Sequence, residues 1–217
     1  MIGIIILSGG QGLRMGGQDK GWCVYKDTTF IESVLQQLQN QMVQQSEYRF
    51  KLFISANRNL TDYKALVGKV EKVGEKSKYF GEAICDEREG YCGPLSGIES
   101  VMRFQQNKCQ LGDDCQEIDR WITYPVDSPD VPSDYIELML RLNSDSLTSE
   151  KIGYLEQNGR KHFAHLSVPS SQQAGISNYL EGGQRSIKGW LAQSGVAQAV
   201  LLETDSTSIL NINQHSV

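Results

Sequence analysis

Ile4-Ile5-Ile6-Leu7-Ser8-Gly9-Gly10-Gln11-Gly12-Leu13-Arg14-Met15-Gly16-Gly17-Gln18-Asp19-Lys20 decides how this chain is read. A run of apolar β-formers ends in a glycine-rich loop that carries two cations, Arg14 and Lys20. Glycine lets backbone amides turn toward a ligand with no Cβ in the way, which suits a concave anion site. Arginine and lysine neutralise the phosphates that such amides cradle. Five glycines and two cations fall within 12 residues directly after a buried strand, more than a plain strand-to-helix turn requires. The stretch reads as a nucleotide-triphosphate site. It is neither of the best-known phosphate loops. Lys20 follows Asp19 and precedes Gly21, so G-x-x-x-x-G-K-[ST] is missing, and Gly9-Gly10-x-Gly12 does not fit G-x-G-x-x-G.

Working outward, 217 residues suffice for one sizeable core, and no repeat or linker interrupts them, so a single domain over 1–217 is expected. A net charge of −5 argues against a broad nucleic-acid-binding surface. No apolar run is long enough to span a membrane, and Met1-Ile2-Gly3 lacks the charged start of a signal peptide, so a cytoplasmic protein without membrane contact is expected. The cysteines are five and irregularly spaced, which does not suggest a disulfide framework. Cys109 and Cys115 could pair or bind a metal, but no second Cys/His pair sits at zinc spacing, so they read as incidental loop thiols. His162 and His165 form H-x-x-H, but three residues apart on a strand place side chains on opposite faces, so no shared ligand is expected.

Apolar β-rich runs alternate with helical patterns, the signature of an α/β fold: a three-layer sandwich around a mostly parallel sheet, Rossmann-like in kind. Strands are expected near 3–7, 51–55, 83–86, 121–126 and 199–203, with 21–25 also extended. Phe30, Ile31, Val34, Leu35, Leu38 and Met42 recur at helical steps. A short helix is expected near 61–66, and another opens at Gly93-Pro94-Leu95-Ser96-Gly97. The polar segment 105–119 reads as a surface loop. A helix over 134–143 is expected to be capped by Ser133, and 152–166 reads as a hairpin turning at Asn158-Gly159. Two further helices fall near 172–179 and 186–193.

Ligands of open α/β sheets bind beyond the carboxyl ends of the strands, near the switch in strand order. The loop 7–20, the turn Ala56-Asn57-Arg58 and Asp127 all lie there. Asp127 closes an apolar strand beside the phosphate loop and suits Mg²⁺, which takes a few carboxylates together with substrate phosphates; a helix cap or Asx-turn before Pro129 is the plainer reading. Asp86 serves either nucleotide or metal recognition or a turn. Asn57 offers donors and acceptors for a base or ribose, and is equally a turn former. Gly93 to Gly97 brings backbone close to a flat partner, a base or the next helix.

Leu7-Ser8-Gly9-Gly10, Arg14-Met15-Gly16-Gly17 and Asp19-Lys20-Gly21 resemble the opening of the nucleotidyltransferases, and within them the molybdenum cofactor guanylyltransferases. Ala56-Asn57-Arg58, Gly93-Pro94-Leu95-Ser96-Gly97, Pro125-Val126-Asp127-Ser128-Pro129 and Asn211-Ile212-Asn213 continue the resemblance in order along nearly the whole chain. It implies transfer of GMP from GTP to the phosphate of molybdenum-molybdopterin, with pyrophosphate released. It also implies that Leu7, Ser8, Gly9, Gly10, Lys20, Asn57, Asp86 and Gly93 contact the nucleotide. Asp127 would hold Mg²⁺, while Asn211 and Asn213 would face the pterin. Arg14, Lys20 and Asp127 are the expected catalytic set, and no general base is needed for a phosphate nucleophile. Molybdoenzyme maturation proteins stand as an open further partner. His162-Phe163-Ala164 replaces the His-Pro-Thr of relatives, and 105–119 looks like an insertion. The rival readings are a cytidylyltransferase or another small-molecule nucleotidyltransferase of the same fold, and a non-catalytic nucleotide-binding protein that delivers the cofactor.

Overall fold

The computed structural model describes residues 1–10, 17–71, 80–112, 116–143 and 149–202. β1 (Ile2–Leu7) lies between β4 (Phe50–Ser55) and β6 (Arg120–Pro125) and pairs with both in parallel. β5 (Phe80–Ile84) extends the sheet beyond β4. On the other side come β8 (Arg160–Pro169), β7 (Ile152–Gln157) and β9 (Ala197–Leu202), giving the order β5-β4-β1-β6-β8-β7-β9. Among the described residues of this sheet, the β6–β8 and β8–β7 pairings are antiparallel and the others parallel. β2 (Val24–Tyr25) and β3 (Thr28–Thr29) form a separate small ribbon.

The apolar run of β1 follows from burial on both faces, as parallel strands require. Ile4 and Ile6 join one core with α1 (Phe30–Gln44), α2 (Leu60–Glu71) and α4 (Tyr135–Leu140). Ile5 joins the other with α3 (Pro94–Gln110), α5 (Gln173–Glu181) and α6 (Ile187–Ser194). Gly3 is bare for a packing reason: a Cβ there would sit 2.3 Å from the ring of Trp121 on β6. α1 starts with a full capping box, Thr29 and Glu32 satisfying each other's amides. The hairpin turn has both Asn158 and Gly159 at positive φ, 50° and 72°, as a tight two-residue connection demands.

Several expectations are corrected. The polar segment from Gln105 is helical as far as Gln110, because Leu95, Ile98, Val101 and Met102 anchor one face of α3 and a polar outer face costs it little. Ser133 caps nothing; Asp134 precedes α4 and makes no side-chain cap. Lys20–Trp22 is a 3₁₀ turn, so the extended segment begins only at Val24. Cys109 is disulfide-bonded and is not an incidental thiol.

β8 brings the largest surprise. Its pairing with β7 jumps from Tyr154↔Leu166 to Leu155↔His162, leaving residues 163–165 unmatched on β8. This bulge cancels the strict alternation of a strand. His162 and His165 therefore meet edge to face at 5.9 Å, and do not point apart.

Candidate active site

The chain visits β1, β4 and β5 on one side of the sheet and then crosses to β6 on the other side of β1. At that switch a pocket of ≈ 410 Å³ opens beyond the strand ends. Leu7, Ser8, Gly9, Gly10, Lys20, Asn57, Asp86, Gly93 and Asp127 all line it. The expected site residues that the structure describes thus converge on one cavity. Arg14, Asn211 and Asn213 lie outside the described residues.

Lys20 and Asp127 form an ion pair across the cavity, Nζ donating to Oδ2 at 2.9 Å, each side chain 21% exposed. Asp127 caps no helix, because α4 begins eight residues later. Its loop is fastened from α1: Ser33 Oγ and Gln37 Nε2 donate to Pro129 O, and Gln37 Oε1 accepts from Val131 N. Tyr124 Oη adds a bond to Ser128 O at 2.7 Å. These bonds fix the backbone that follows the carboxylate, and Lys20 is the side-chain partner of Asp127 among the described residues.

Lys20 is positioned by its neighbours. Asp19, buried, accepts from Gly21 N, Tyr63 Oη and Asn59 Nδ2. Because Tyr63 donates to Asp19 at 2.8 Å, the 2.6 Å contact between Ser8 Oγ and Tyr63 Oη has Ser8 as donor. Burial, more than any charge, pushes the Tyr63 phenol pKa far up, so it stays protonated for this role. Gly21 leaves no room for a side chain, as a Cβ would lie 2.1 Å from Tyr63 Oη. Asp19-Lys20-Gly21 is therefore a physical unit: a hub, a pocket cation and a close approach.

Asp86 brings a second carboxylate to the cavity lining. Asn57 Nδ2 donates to Asp86 Oδ2 at 3.0 Å, and Asn57 Oδ1 accepts from Asp86 N at 2.9 Å. The amide also reaches Gly9 O at 3.5 Å, so Asn57 ties the β1 loop to the end of β5. Asp86 Oδ1 is buried with no hydrogen-bond partner, and so is the hydroxyl of nearby Ser96, close enough to favour the ionised carboxylate without a bond of good geometry. Burial raises the Asp86 pKa; the Asn57 hydrogen bond opposes the rise. Gly97 makes the approach possible, since a Cβ would stand 2.1 Å from Ser55 Oγ and 3.2 Å from Asp86 Oδ1. Gly93, at φ 79°, precedes Pro94 and starts α3.

Sequence reasoning did not single out Tyr63, Ser55 or Tyr91, and it met Ala164 only within His162-Phe163-Ala164. Tyr91 is half exposed on the pocket rim, and Ala164 reaches the wall because of the β8 bulge. Tyr63, Ser55 and Tyr91 belong to no motif with a readable spacing. Among the described residues no group of three or more His, Cys, Asp or Glu side chains is arranged for a metal ion. One fixed carboxylate in a pocket fits a cation whose remaining ligands are substrate phosphates and water.

A doubly covered, mostly parallel sheet with a pocket at the switch in strand order, lined by a lysine and two carboxylates, is the architecture of a nucleotide-binding α/β protein. Residues 4–197 match the MobA-like NTP transferase domain. The chain belongs to this family. A molybdenum cofactor guanylyltransferase from Shewanella putrefaciens is 27% identical over 98% of this chain and 91% of its own length. The crystal structure of molybdopterin-guanine dinucleotide biosynthesis protein A from Archaeoglobus fulgidus has a TM-score of 0.60 at 16% identity, covering 92% of this chain and 82% of that one. A Mycobacterium tuberculosis protein crystallised in complex with manganese has a TM-score of 0.54 at 14% identity, covering 97% and 91%.

Proposed function

We propose that this nucleotidyltransferase transfers GMP from GTP to the terminal phosphate of a molybdopterin-type cofactor carrying molybdenum, releasing pyrophosphate. One observation carries the reading: the Lys20–Asp127 ion pair and the hydrogen-bonded Asn57–Asp86 pair line one cavity beyond the strand ends. The names of the full-length relatives support the same substrates.

Guanine presents adjacent N–H donors on its pairing edge, and the Asp86 carboxylate lines the cavity as an acceptor for them. Satisfying it stabilises the correct base and leaves a cytosine or adenine poorly matched. Asn57 holds that carboxylate in place. At the other end Lys20 meets the triphosphate, and the amides of Gly9 and Gly10 add donors. Attack by one phosphate on another is opposed by charge repulsion, so alignment and neutralisation are the main tasks of the protein. Lys20 releases Asp127 as it turns to phosphate, and so stabilises the charge building on the departing pyrophosphate. A divalent cation, Mg²⁺ in this reading, would be held by Asp127 and supplies charge neutralisation at the reacting phosphates. The manganese complex of the structural neighbour supports a divalent ion. We read residues 1–217 as a single domain with Arg14 as a further phosphate contact and Asn211 and Asn213 on the pterin side.

The test is competition among GTP, CTP, ATP and UTP for a single acceptor, followed by pyrophosphate release and by the mass of the product. A guanine dinucleotide product is expected. A cytosine product would reassign the base, and nucleotide binding without pyrophosphate would point to a delivery protein.

A further inference from the structure

Arg58 lies behind the pocket, on the turn between β4 and α2, and outside the cavity lining. Its guanidinium donates to three main-chain carbonyls: Nη1 to Gly17 O, and Nη2 to Gly10 O at 2.8 Å and to Gln18 O at 3.2 Å. Gly10 and Gly17 stand on the two sides of the glycine-rich stretch, seven residues apart in sequence. We infer that Arg58 is a positioning residue that staples the two ends of the phosphate loop together from behind, and thereby sets its amides for the triphosphate.

The geometry of the peptide unit carries the inference. In a trans peptide the C=O and the following N–H point in opposite directions. Fastening the carbonyls of Gly17 and Gln18 to Arg58 turns the N–H groups of Gln18 and Asp19 away from it. The amides of Gly9, Gly10, Gln18 and Asp19 donate to no described residue, and Gly9 and Gly10 line the cavity itself. A planar fork suits this task, since one rigid group spans both ends, whereas an ammonium is a single point donor. Arg58 makes no ion pair with a carboxylate among the described residues, so its charge also remains in force beside the loop. The buried Asp19–Tyr63–Ser8 bonds tie Ser8 and Asp19 on the two sides of the same loop from α2, and Arg58 adds a second tie at the carbonyls of Gly10, Gly17 and Gln18.

The inference rests on the proposed nucleotide site, and the experiment separates the two. GMP, GDP and GTP are titrated calorimetrically into the full chain as wild type, Arg58→Met and Arg58→Lys, with CMP, CDP and CTP in parallel. In the wild type the triphosphate binds more tightly than its monophosphate. Arg58→Met should shrink that ratio about tenfold, the size of one lost charge-assisted contact, with monophosphate affinity held within about twofold. Arg58→Lys should recover part of the ratio. Hydrogen exchange of segments 8–10 and 17–20 should quicken in Arg58→Met while the strands stay unchanged. An unchanged ratio, an equal loss for mono- and triphosphate, or unaltered exchange overturns the staple. A wild type that favours the cytidine series overturns the guanine reading alone, and the ratio within that series then decides the staple. A wild type indifferent to phosphate number overturns both.

Discussion

Lowering the pH from 7 to 5 should cost the fold about 2 kcal/mol through His165 alone. This ring is buried between Tyr124 and Tyr135, with centroids 4.9 and 5.6 Å away. Tyr135 Oη donates to Thr123 O at 2.6 Å, so its lone pair accepts from His165 Nδ1 at 3.3 Å. Nε2 is then left as a buried acceptor with no partner, and protonation there would strand a charge. Burial, with a smaller contribution from His162, lowers the pKa from 6.5 to about 3. The unfolded chain therefore takes up a proton below pH 6.5 that the native state refuses. Stability is complete above pH 6.5 and falls as pH drops, levelling off only near pH 3, where the loss approaches about 5 kcal/mol. At pH 5 the loss is set by the unfolded pKa alone, about 1.5 units at 1.36 kcal/mol each, so it does not depend on how far the native value is depressed. The assay is urea unfolding of wild type and His165→Phe between pH 7 and pH 5. The phenylalanine keeps the aromatic packing and removes the titration, so the difference between the two curves should change by about 2 kcal/mol. Parallel curves, or an imidazole resonance of His165 that titrates near its ordinary value, would refute the reasoning.

Three further outcomes follow from the site. Lys20→Ala and Asp127→Ala should each lower kcat about 10²- to 10³-fold, as for loss of one preorganised electrostatic group, and near wild-type turnover would remove that residue from the mechanism. Asp86→Asn should relax the preference for GTP and raise the melting temperature at neutral pH. Its raised pKa means the native state resists ionisation, so the carboxylate favours folding only at acid pH and that advantage disappears as pH rises; a lower melting temperature at pH 7 would contradict this. Gly97→Ala places a methyl 2.1 Å from Ser55 Oγ, so it should raise the KM for nucleotide and cost about 1–3 kcal/mol in urea, with partial recovery when Ser55→Ala is added.

The composition of β1 and the periodicity of α1 gave away a doubly covered sheet, because burial on two faces leaves no polar position to alternate. Lys20, Asn57, Asp86 and Asp127 were readable because each closes a strand or its loop, and chain order at a parallel sheet brings those ends to one edge. The polar run after Gln105 misled, since α3 is anchored by residues earlier in the helix. The site reading was also incomplete where one contact decides the role. Asn57 reads as a ligand contact, yet its amide is spent on Asp86 and Gly9.

What sequence alone determined is which strands are buried, where the chain turns, and which charged groups sit at strand ends; these are local properties, written in hydrophobic period and glycine content. What only the tertiary structure decided is how groups distant in sequence share one space. The three-residue bulge in β8 brought two histidines together that alternation sets apart. The guanidinium of Arg58 reaches across 48 residues to Gly10, and Tyr63 across 44 to Asp19. Such contacts depend on the angle at which one element packs on another, and no spacing along the chain encodes that angle.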